Sequence, residues 1–460
     1  MNISIRIIAT VFIMIVSLAA KAGSTFTDVV SSPKTEVRAV WLTTFRGLDW
    51  PKTKATDEWS REYQKREVIR ILDGLQAVNI NTIIFQARTR GLVAYRSQIE
   101  EFDDVWTGKE GQDPGYDPLA FVIEECHKRG MECHAWVVSV CPARGFRDPN
   151  NASTAGYVAG ICEEIARNYD VDGISLDYIR YRDGKPLGVS PAQGRENITK
   201  IVRAIHDRVK AVKPWVKLSC SPIGKYKPNR NLSSKYNAYA YGQDVERWTK
   251  EGLMDIIFPM AYWDRDNFYP WMPQWKEAAN GKIVAPGLGT YFLDPKEGNR
   301  TLYEQIKQHN FIRYDGSMGF AIFRAEHLLK DFKGIYQFMK TFCPYPSLLP
   351  PIAGGSKPAK PEGVKVQYGN NSTTLYWNPQ RNTMVNIYAS RQWPVDITKA
   401  ENLIAARVRG SQITIPTQYK LHYAITTIDR YGNESDEIST AKEKFRSALS
   451  YRPDNSKSNR

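Results

Sequence analysis

Short apolar runs rich in β-branched and aromatic residues alternate with longer amphipathic stretches from residue 37 to residue 326. Between the first two runs, Val68, Leu72 and Leu75 recur at spacings of three and four, which places them on one helix face. Strands that alternate with helices form parallel sheets, because each helix returns the chain to the start of the next strand. The predicted strands are Val37–Thr43, Asn81–Arg88, Glu132–Val138, Gly173–Tyr181, Lys217–Ile223, Asp255–Trp263, Ile283–Tyr291 and Met318–Glu326.

These eight strands, spread over residues 34–345, predict an α/β fold of the (β/α)₈ TIM barrel type. An open doubly wound sheet is less consistent with eight strands, and the sequence contains no glycine-rich dinucleotide fingerprint. Besides the helix around Val68, the pattern predicts helices over Asp117–Arg129, Ser153–Tyr169, Pro191–Val212 and His327–Met339.

A different pattern follows the barrel. Residues 346–358 are rich in proline and glycine and predict a linker. Residues 359–447 contain short alternating strands separated by turn residues, which predicts a small all-β sandwich. The predicted strands are Val364–Tyr368, Thr373–Trp377, Thr383–Ala389, Gln412–Ile415 and Leu421–Ile428, and a polar tail follows over 448–460.

The amino terminus has the pattern of a secretory signal peptide over residues 1–22. Arg6 precedes an apolar run from Ile7 to Ala20, which is short for a bilayer-spanning helix, and Ala20-Lys21-Ala22 resembles a cleavage site. We therefore expect cleavage and a periplasmic or extracellular location, with no integral membrane span in the mature form.

Composition narrows the choice of partner. The chain has 460 residues, 42% of them hydrophobic, and a net charge of +14, so a globular protein with an anionic partner is expected. Export argues against nucleic acid and leaves an anionic membrane surface or an acidic polysaccharide, although a positive charge that only aids solubility is equally compatible. The six cysteines form no CxxC pair and are expected to be buried thiols, and histidine spacing predicts neither a metal nor another cofactor.

Polar and aromatic side chains occupy the predicted carboxyl ends of the strands, which form the active-site face of a barrel. Carboxylates gathered with flat rings indicate sugar chemistry, because rings stack on the C–H face of a pyranose and acids act on the glycosidic bond. Asp177 ends an otherwise apolar strand and is the first candidate, as nucleophile or electrostatic stabiliser. An ion pair with Arg180 or Arg88 is the structural alternative.

The sequence does not single out one residue as the proton donor. Glu326 and Asp264 are the leading candidates and Asp266 is a weaker one, the alternative for each being a solvated or ion-paired loop charge. Arginines near strand ends can hold a carboxylate of an acidic substrate, or else orient Asp177. The candidate substrate-binding residues are Trp41, Arg88, Trp136, Tyr178, Arg180, Tyr262, Trp263 and Tyr291.

Four segments, in order along the chain, resemble motifs of the glycosyl-hydrolase-like 10 family. They are Glu36-Val-Arg-Ala-Val-Trp41-Leu-Thr-Thr, Asn81-Thr-Ile-Ile-Phe-Gln86-Ala-Arg88, Asp172-Gly-Ile-Ser-Leu-Asp177-Tyr-Ile-Arg180-Tyr and Phe258-Pro-Met-Ala-Tyr262-Trp263. The resemblance implies a (β/α)₈ glycoside hydrolase that acts on peptidoglycan glycan strands without stem peptides. Residues 359–447, with Trp377 and Tyr423, resemble a fibronectin type III module.

The segment ending at Asp177 also resembles the fourth-strand motif of chitinase-like enzymes. Those enzymes carry a glutamate acid two residues beyond the last aspartate, where this chain has Ile179. The departure argues against a chitinase-type acid and leaves the donor to another strand. It also keeps open an alternative function, a catalytically inactive glycan-binding protein of the cell envelope.

Overall fold

The computed structural model describes residues 31–140, 147–417 and 419–440, and the structural statements below concern these residues. The predicted signal peptide 1–22 and the polar tail 448–460 lie outside them. No helix within these ranges is long and apolar enough to cross a membrane.

Eight parallel strands form the barrel, and each one pairs with its sequence neighbours. Their side chains are almost all buried, as expected for strands covered by helices on one side and by the barrel interior on the other. The strands are β1 (Val37–Leu42), β2 (Thr82–Thr89), β3 (Glu132–Val138), β4 (Gly173–Asp177), β5 (Lys217–Cys220), β6 (Ile256–Ile257), β7 (Ile283–Val284 and Gly287–Gly289) and β8 (Gly319–Phe323).

The ring closes through β7, which is interrupted in its middle. The first half of β7 pairs with β6 and the second half with β8, and Gly287 also bridges to Met260 beyond β6. The Gly287 N–H donates to the Pro259 carbonyl at 2.7 Å, and the Ala321 N–H donates to the Pro286 carbonyl at 2.9 Å. Both prolines lack an N–H donor, which explains why the regular strands here are shorter than the predicted runs. The prediction of a barrel is confirmed.

The helices begin where the sequence provides capping residues. Asp57 accepts a hydrogen bond from the Ser60 N–H at 2.7 Å at the start of α1, and Ser190 caps α4. The helices are α1 (Glu58–Gln76), α2 (Pro118–Lys128), α3 (Ser153–Asn168), α4 (Pro191–Val212), α5 (Val245–Lys250), α6 (Met272–Ala278), α7 (Leu302–Asp315), α8 (Ala325–Leu329) and α9 (Ile335–Phe342).

The prediction of one helix over His327–Met339 is wrong. The chain forms α8 and α9 instead, because Asp331 and Lys333 between them adopt left-handed backbone angles with φ of 53° and 58°. Gly334 follows with φ of 88°, so a right-handed helix cannot continue through this segment.

The carboxyl-terminal region forms a three-stranded sheet, β9-β10-β13, and a four-stranded sheet, β12-β11-β14-β15, both antiparallel. Leu375, Trp377, Ile387, Tyr423 and Ile425 pack together between them. The five predicted strands are present, and β12 and β15 were missed. The strands are β9 (Glu362–Tyr368), β10 (Ser372–Asn378), β11 (Thr383–Ser390), β12 (Leu403–Val408), β13 (Gln412–Pro416), β14 (His422–Asp429) and β15 (Ile438–Ser439).

A buried group of charges joins the sandwich to the amino-terminal end of the barrel strands. Arg407, on β12, contacts Asp172 at 2.8 Å and Glu132 at 3.0 Å, and Lys217 contacts Glu132 at 2.8 Å. Burial alone would raise the pKa of Asp172, but its interactions with His127 and Arg407 outweigh burial and hold that pKa well below its ordinary value. We call Glu132, Asp172, Lys217 and Arg407 the interdomain ion cluster.

Replacing Arg407 by alanine is expected to lower the free energy of unfolding by about 3–5 kcal/mol, because two buried carboxylates lose a partner. Arg409→Ala is the matched control. Arg409 pairs with Asp170 at 3.0 Å in a more exposed position, where such a pair contributes less than about 1 kcal/mol. Urea unfolding measures the free energy of unfolding of both variants. Equal losses in the two variants would contradict a stabilising role for the interdomain ion cluster.

Candidate active site

A cavity of about 430 Å³ opens at the carboxyl ends of the barrel strands. Its walls come from β1, β2, β3, β4 and β8 and from segments that follow β1, β2, β4, β5, β6 and β8. The lining residues are Trp41, Thr43, Phe45, Leu48, Gln86, Thr89, Arg90, Trp136, Val138, Asp177, Tyr178, Ser221, Met260, Tyr262, Phe323 and Arg324. A larger groove of about 720 Å³ lies at the junction with the sandwich, at the other end of the strands.

Asp177 is the only carboxylate among the described residues that line this cavity. Its Oδ2 accepts a hydrogen bond from Trp136 Nε1 at 3.1 Å, and its Oδ1 accepts one from the Tyr178 N–H at 2.7 Å. Burial raises the pKa of Asp177, and the Arg180 guanidinium, 3.9 Å from Oδ1, offsets that rise only in part. The side chain is thus a fixed carboxyl group whose ionised form is less stable than it would be in water.

Aromatic rings surround this carboxyl group. The Phe323 ring centre lies 5.9 Å from that of Trp41, 6.4 Å from that of Trp136 and 5.3 Å from that of Tyr262. Burial, helped by the charge of Asp177, raises the pKa of Tyr262 well above its ordinary value, so its hydroxyl remains a hydrogen-bond donor. The cavity therefore combines flat apolar surfaces with a few oriented polar groups.

The structure brings together four of the predicted substrate-binding residues. Trp41, Trp136, Tyr178 and Tyr262 all line the cavity with Asp177.

The other aromatic candidates lie outside the lining. The Tyr291 ring contacts Tyr262 with centres 5.9 Å apart, and Trp263 lies 5.1 Å from the Lys225 ammonium group. Both support or flank the site rather than form its walls.

Two predicted arginines are engaged elsewhere. Arg88 is buried in a two-bond pair with Glu100, at 2.6 and 2.7 Å. Arg180 pairs with Asp183 at 3.1 Å and faces Asp177, so it acts on the cavity through that carboxylate. Neither guanidinium lines the cavity. Arg180 faces Asp177 and fits the alternative of an arginine that orients this carboxylate, whereas Arg88 pairs with Glu100 instead.

Glu326 lies outside the cavity, in a groove between α1 and α8. Its carboxylate contacts Arg324 at 2.8 Å, Lys52 at 3.4 Å and also Lys330. Burial would raise the pKa of Glu326, but hydrogen bonds from Lys330 and Arg324 outweigh it and lower that pKa to about 2. A carboxyl group with this pKa carries no proton near neutral pH, which argues against the predicted donor role.

Asp264 follows β6, at the carboxyl end of the strands. Like Glu326, it does not line the cavity. Its side chain is 36% exposed and lies 3.8 Å from the Arg300 guanidinium. Asp266, two residues further on, is exposed to solvent. Asp264 thus has fewer cations beside it than Glu326 has.

Two residues that hold the segment after β1 had not been singled out as site residues. Gln86 Oε1 accepts hydrogen bonds from the N–H groups of Thr44 and Phe45, at 3.0 and 2.9 Å. Asp49 accepts from the Thr43 N–H at 2.9 Å and pairs with Arg324, 275 residues away in sequence. The available sequence signal for Asp49 was an acidic residue next to Trp50, but neither its burial nor its partner Arg324 could be inferred from the sequence.

Within the described ranges, no group of three or more His, Cys, Asp or Glu side chains is arranged to hold a metal ion. Cys126, Cys133, Cys162, Cys220 and Cys343 are buried free thiols, as expected, and Cys141 lies outside the described residues.

Comparison with known families agrees with this geometry. Residues 36–151 and 137–286 match the family described as Glycosyl hydrolase-like 10, which covers more than half of the chain. The chain belongs to the glycosyl hydrolase-like 10 family. The expectation of a glycoside hydrolase is thereby confirmed at the level of the enzyme class.

Two relatives of this family member carry glycosyl hydrolase names. Glycosyl hydrolase YngK of Bacillus subtilis is 27% identical over 87% of this chain and 92% of its own length. Glycosyl hydrolase DigH of Escherichia coli is 30% identical over 53% of this chain and 69% of its own length.

Solved structures show only a distant likeness. The PgaB (BpsB) glycoside hydrolase domain of Bordetella bronchiseptica has a TM-score of 0.48 and 12% identity, over 67% of this chain and 99% of that domain. A chitinase of Bacteroides thetaiotaomicron has a TM-score of 0.43 and 13% identity, over 67% and 96% of the two chains.

Trp136→Phe is expected to raise the pKa of Asp177 further, because it removes an N–H donor that stabilises the ionised carboxylate while keeping a ring. Carboxyl ¹³C NMR titration of labelled protein measures this pKa directly. Trp41→Phe is the control, since Trp41 lines the same cavity and makes no hydrogen bond to Asp177 in the structure. An equal shift in both variants would show that the bond from Trp136 is unimportant.

Proposed function

We propose that this glycosyl hydrolase-like 10 protein cleaves glycosidic bonds in an anionic polysaccharide, namely peptidoglycan glycan strands that lack stem peptides. The observation that carries the proposal is the placement of Asp177, a fixed carboxyl group on the wall of an aromatic cavity at the carboxyl ends of the barrel strands. The relatives' names support hydrolysis of a glycoside, and the positive net charge supports an acidic glycan.

In this proposal a sugar ring stacks against the aromatic walls of the cavity and places its anomeric carbon near Asp177. The ionised carboxylate attacks that carbon or stabilises the positive charge that develops on it. The two N–H donors from Trp136 and Tyr178 keep the carboxylate oriented during the reaction. Tyr262, whose hydroxyl retains its proton, donates a hydrogen bond to the bound sugar.

The leaving oxygen needs a proton, and we assign its donor to Asp264 rather than Glu326. Three cations surround Glu326, and its low pKa leaves no proton to give. Asp264 has one nearby cation, Arg300, and directly follows the pair Tyr262-Trp263 on the active-site face.

Export and the nature of the second domain belong to the same proposal. A signal peptide over residues 1–22 would deliver the enzyme to the compartment in which peptidoglycan lies. The three-stranded and four-stranded antiparallel sheets support the interpretation of the sandwich as a fibronectin type III-like module. The interdomain ion cluster supports a structural role for this module.

Asp177→Asn is expected to lower kcat for release of new reducing ends from denuded glycan strands by about 10²-fold or more. The melting temperature at neutral pH is expected to stay close to that of the wild type. Burial raises the pKa of Asp177, so the neutral amide removes a cost of the ionised form, but its NH2 group then faces one of the two N–H donors, Trp136 Nε1 or the Tyr178 N–H.

The exposed Asp207→Asn on α4 is the control and should change neither quantity. Undiminished release by Asp177→Asn would contradict the assignment. Tight glycan binding by the wild type without any product would favour the alternative of an inactive glycan-binding protein.

The donor assignment is tested by pairing Asp264→Asn with Glu326→Gln. A donor variant loses activity on glycan strands, by about 10²–10⁴-fold, but keeps activity on aryl glycosides of the same sugar, whose leaving groups need no proton. We expect this split for Asp264→Asn and a small, similar change on both substrates for Glu326→Gln. The opposite result would assign the donor to Glu326.

A further inference from the structure

One arginine of the active-site face differs from the others in its partners. Arg88, Arg180 and Arg324 each form a close pair with a carboxylate. Arg90 lines the cavity, its Nε is buried without a hydrogen-bond partner, and its nearest carboxylate, Asp103, is 3.9 Å from Nη2. The Arg90 guanidinium therefore retains donors for a bound group.

A second cation and an aromatic ring adjoin Arg90. The Arg90 guanidinium lies 4.7 Å from the centre of the Phe45 ring, and the exposed Arg46 guanidinium lies 5.1 Å from the same centre. Phe45 is itself part of the cavity wall. Two positive charges thus lie at one side of the cavity, and Asp177 is the only carboxylate among the described residues of the cavity lining. We call Phe45, Arg46 and Arg90 the arginine subsite.

The backbone at Arg90 is unfavourable for an arginine. Arg90 and Gly91 form the two-residue turn between β2 and the short strand Leu92–Val93, with Thr89 paired to Leu92. Both turn residues have positive φ, 53° and 78°, as in a type I′ turn, whose first position favours Asn or Gly. An arginine held in such a conformation beside a cavity points to a functional use of its side chain.

We propose that the arginine subsite binds the carboxylate of an acidic sugar unit, with Arg90 as the main contact and Arg46 as a second positive charge. A guanidinium offers a carboxylate two parallel N–H donors, and partial burial strengthens the bond. The inference rests on the proposed function and deepens it, because it makes the enzyme selective for glycans that carry a carboxylate on the sugar next to the cleaved bond.

The test compares two substrates of equal length, denuded glycan strands and the same strands with their carboxylates converted to neutral amides. Wild type is expected to prefer the acidic strands in kcat/KM. Arg90→Asn, which supplies the preferred turn residue, should lower that preference roughly 10- to 100-fold through the acidic substrate alone. Its melting temperature should be unchanged or higher, which excludes loss of fold as the cause.

Arg265→Asn is the matched control. Arg265 also has a positive φ, 48°, and lies on a segment after β6, but it does not line the cavity. The same substitution there should leave the preference for acidic strands unchanged. Equal loss of preference in both variants would overturn the proposal in favour of a general effect of net charge.

Binding of the two glycans to the Asp177→Asn variant separates this inference from the proposed function. If Asp177→Asn binds acidic strands in preference to neutral ones, and adding Arg90→Asn removes that preference, the arginine subsite is supported. This holds whether or not the wild type hydrolyses the strands. Equal binding of acidic and neutral strands by Asp177→Asn, with cleavage by the wild type, would overturn the subsite and leave the hydrolase standing. A melting temperature lowered by Arg90→Asn, with unchanged preference, would assign Arg90 to a structural pair with Asp103.

Discussion

Hydrogen bonds that close the strand ring between β6, β7 and β8 determine where the cavity residues lie. Pro286, at the break in β7, has no N–H donor, yet its carbonyl still accepts from Ala321, and Gly287 still bonds to the Pro259 carbonyl. Because all eight strands are parallel, closure brings their carboxyl ends to one face. Trp41 and Asp177, from strands far apart in the sequence, then share a single cavity.

The two ends of β4 show how the same residue type is put to different uses. Asp172, before the strand, and Asp177, at its end, are both buried aspartates. His127 on α2, together with Arg407 of the sandwich, holds the pKa of Asp172 down, whereas incomplete compensation by Arg180 leaves the pKa of Asp177 raised. A fully paired carboxylate stabilises the fold, and a partly paired one at the cavity remains available for chemistry.

Local patterns were sufficient to predict the barrel, the main sandwich strands and the position of Asp177 at a strand end. They were insufficient wherever the deciding partner is distant in sequence. Glu326 was a reasonable acid by position, but Lys52, one of the three cations around it, is 274 residues away in the sequence. Arg88 was a reasonable ligand for substrate until the structure placed Glu100 beside it. The break between α8 and α9 was missed for a different reason. It depends on left-handed backbone angles at Asp331 and Lys333, which suit few residue types.

Left-handed backbone angles occur at residue types that do not favour them both near the cavity and away from it, as at Lys333 and Arg407. Several left-handed backbone positions elsewhere are occupied by asparagine, such as Asn79 and Asn299, which tolerates this conformation at little cost. Around the cavity the residues in this conformation are Arg46, Arg90 and Tyr178. Their backbone energy and the desolvation of Asp177 both oppose folding, so the packing of the barrel has to offset these costs.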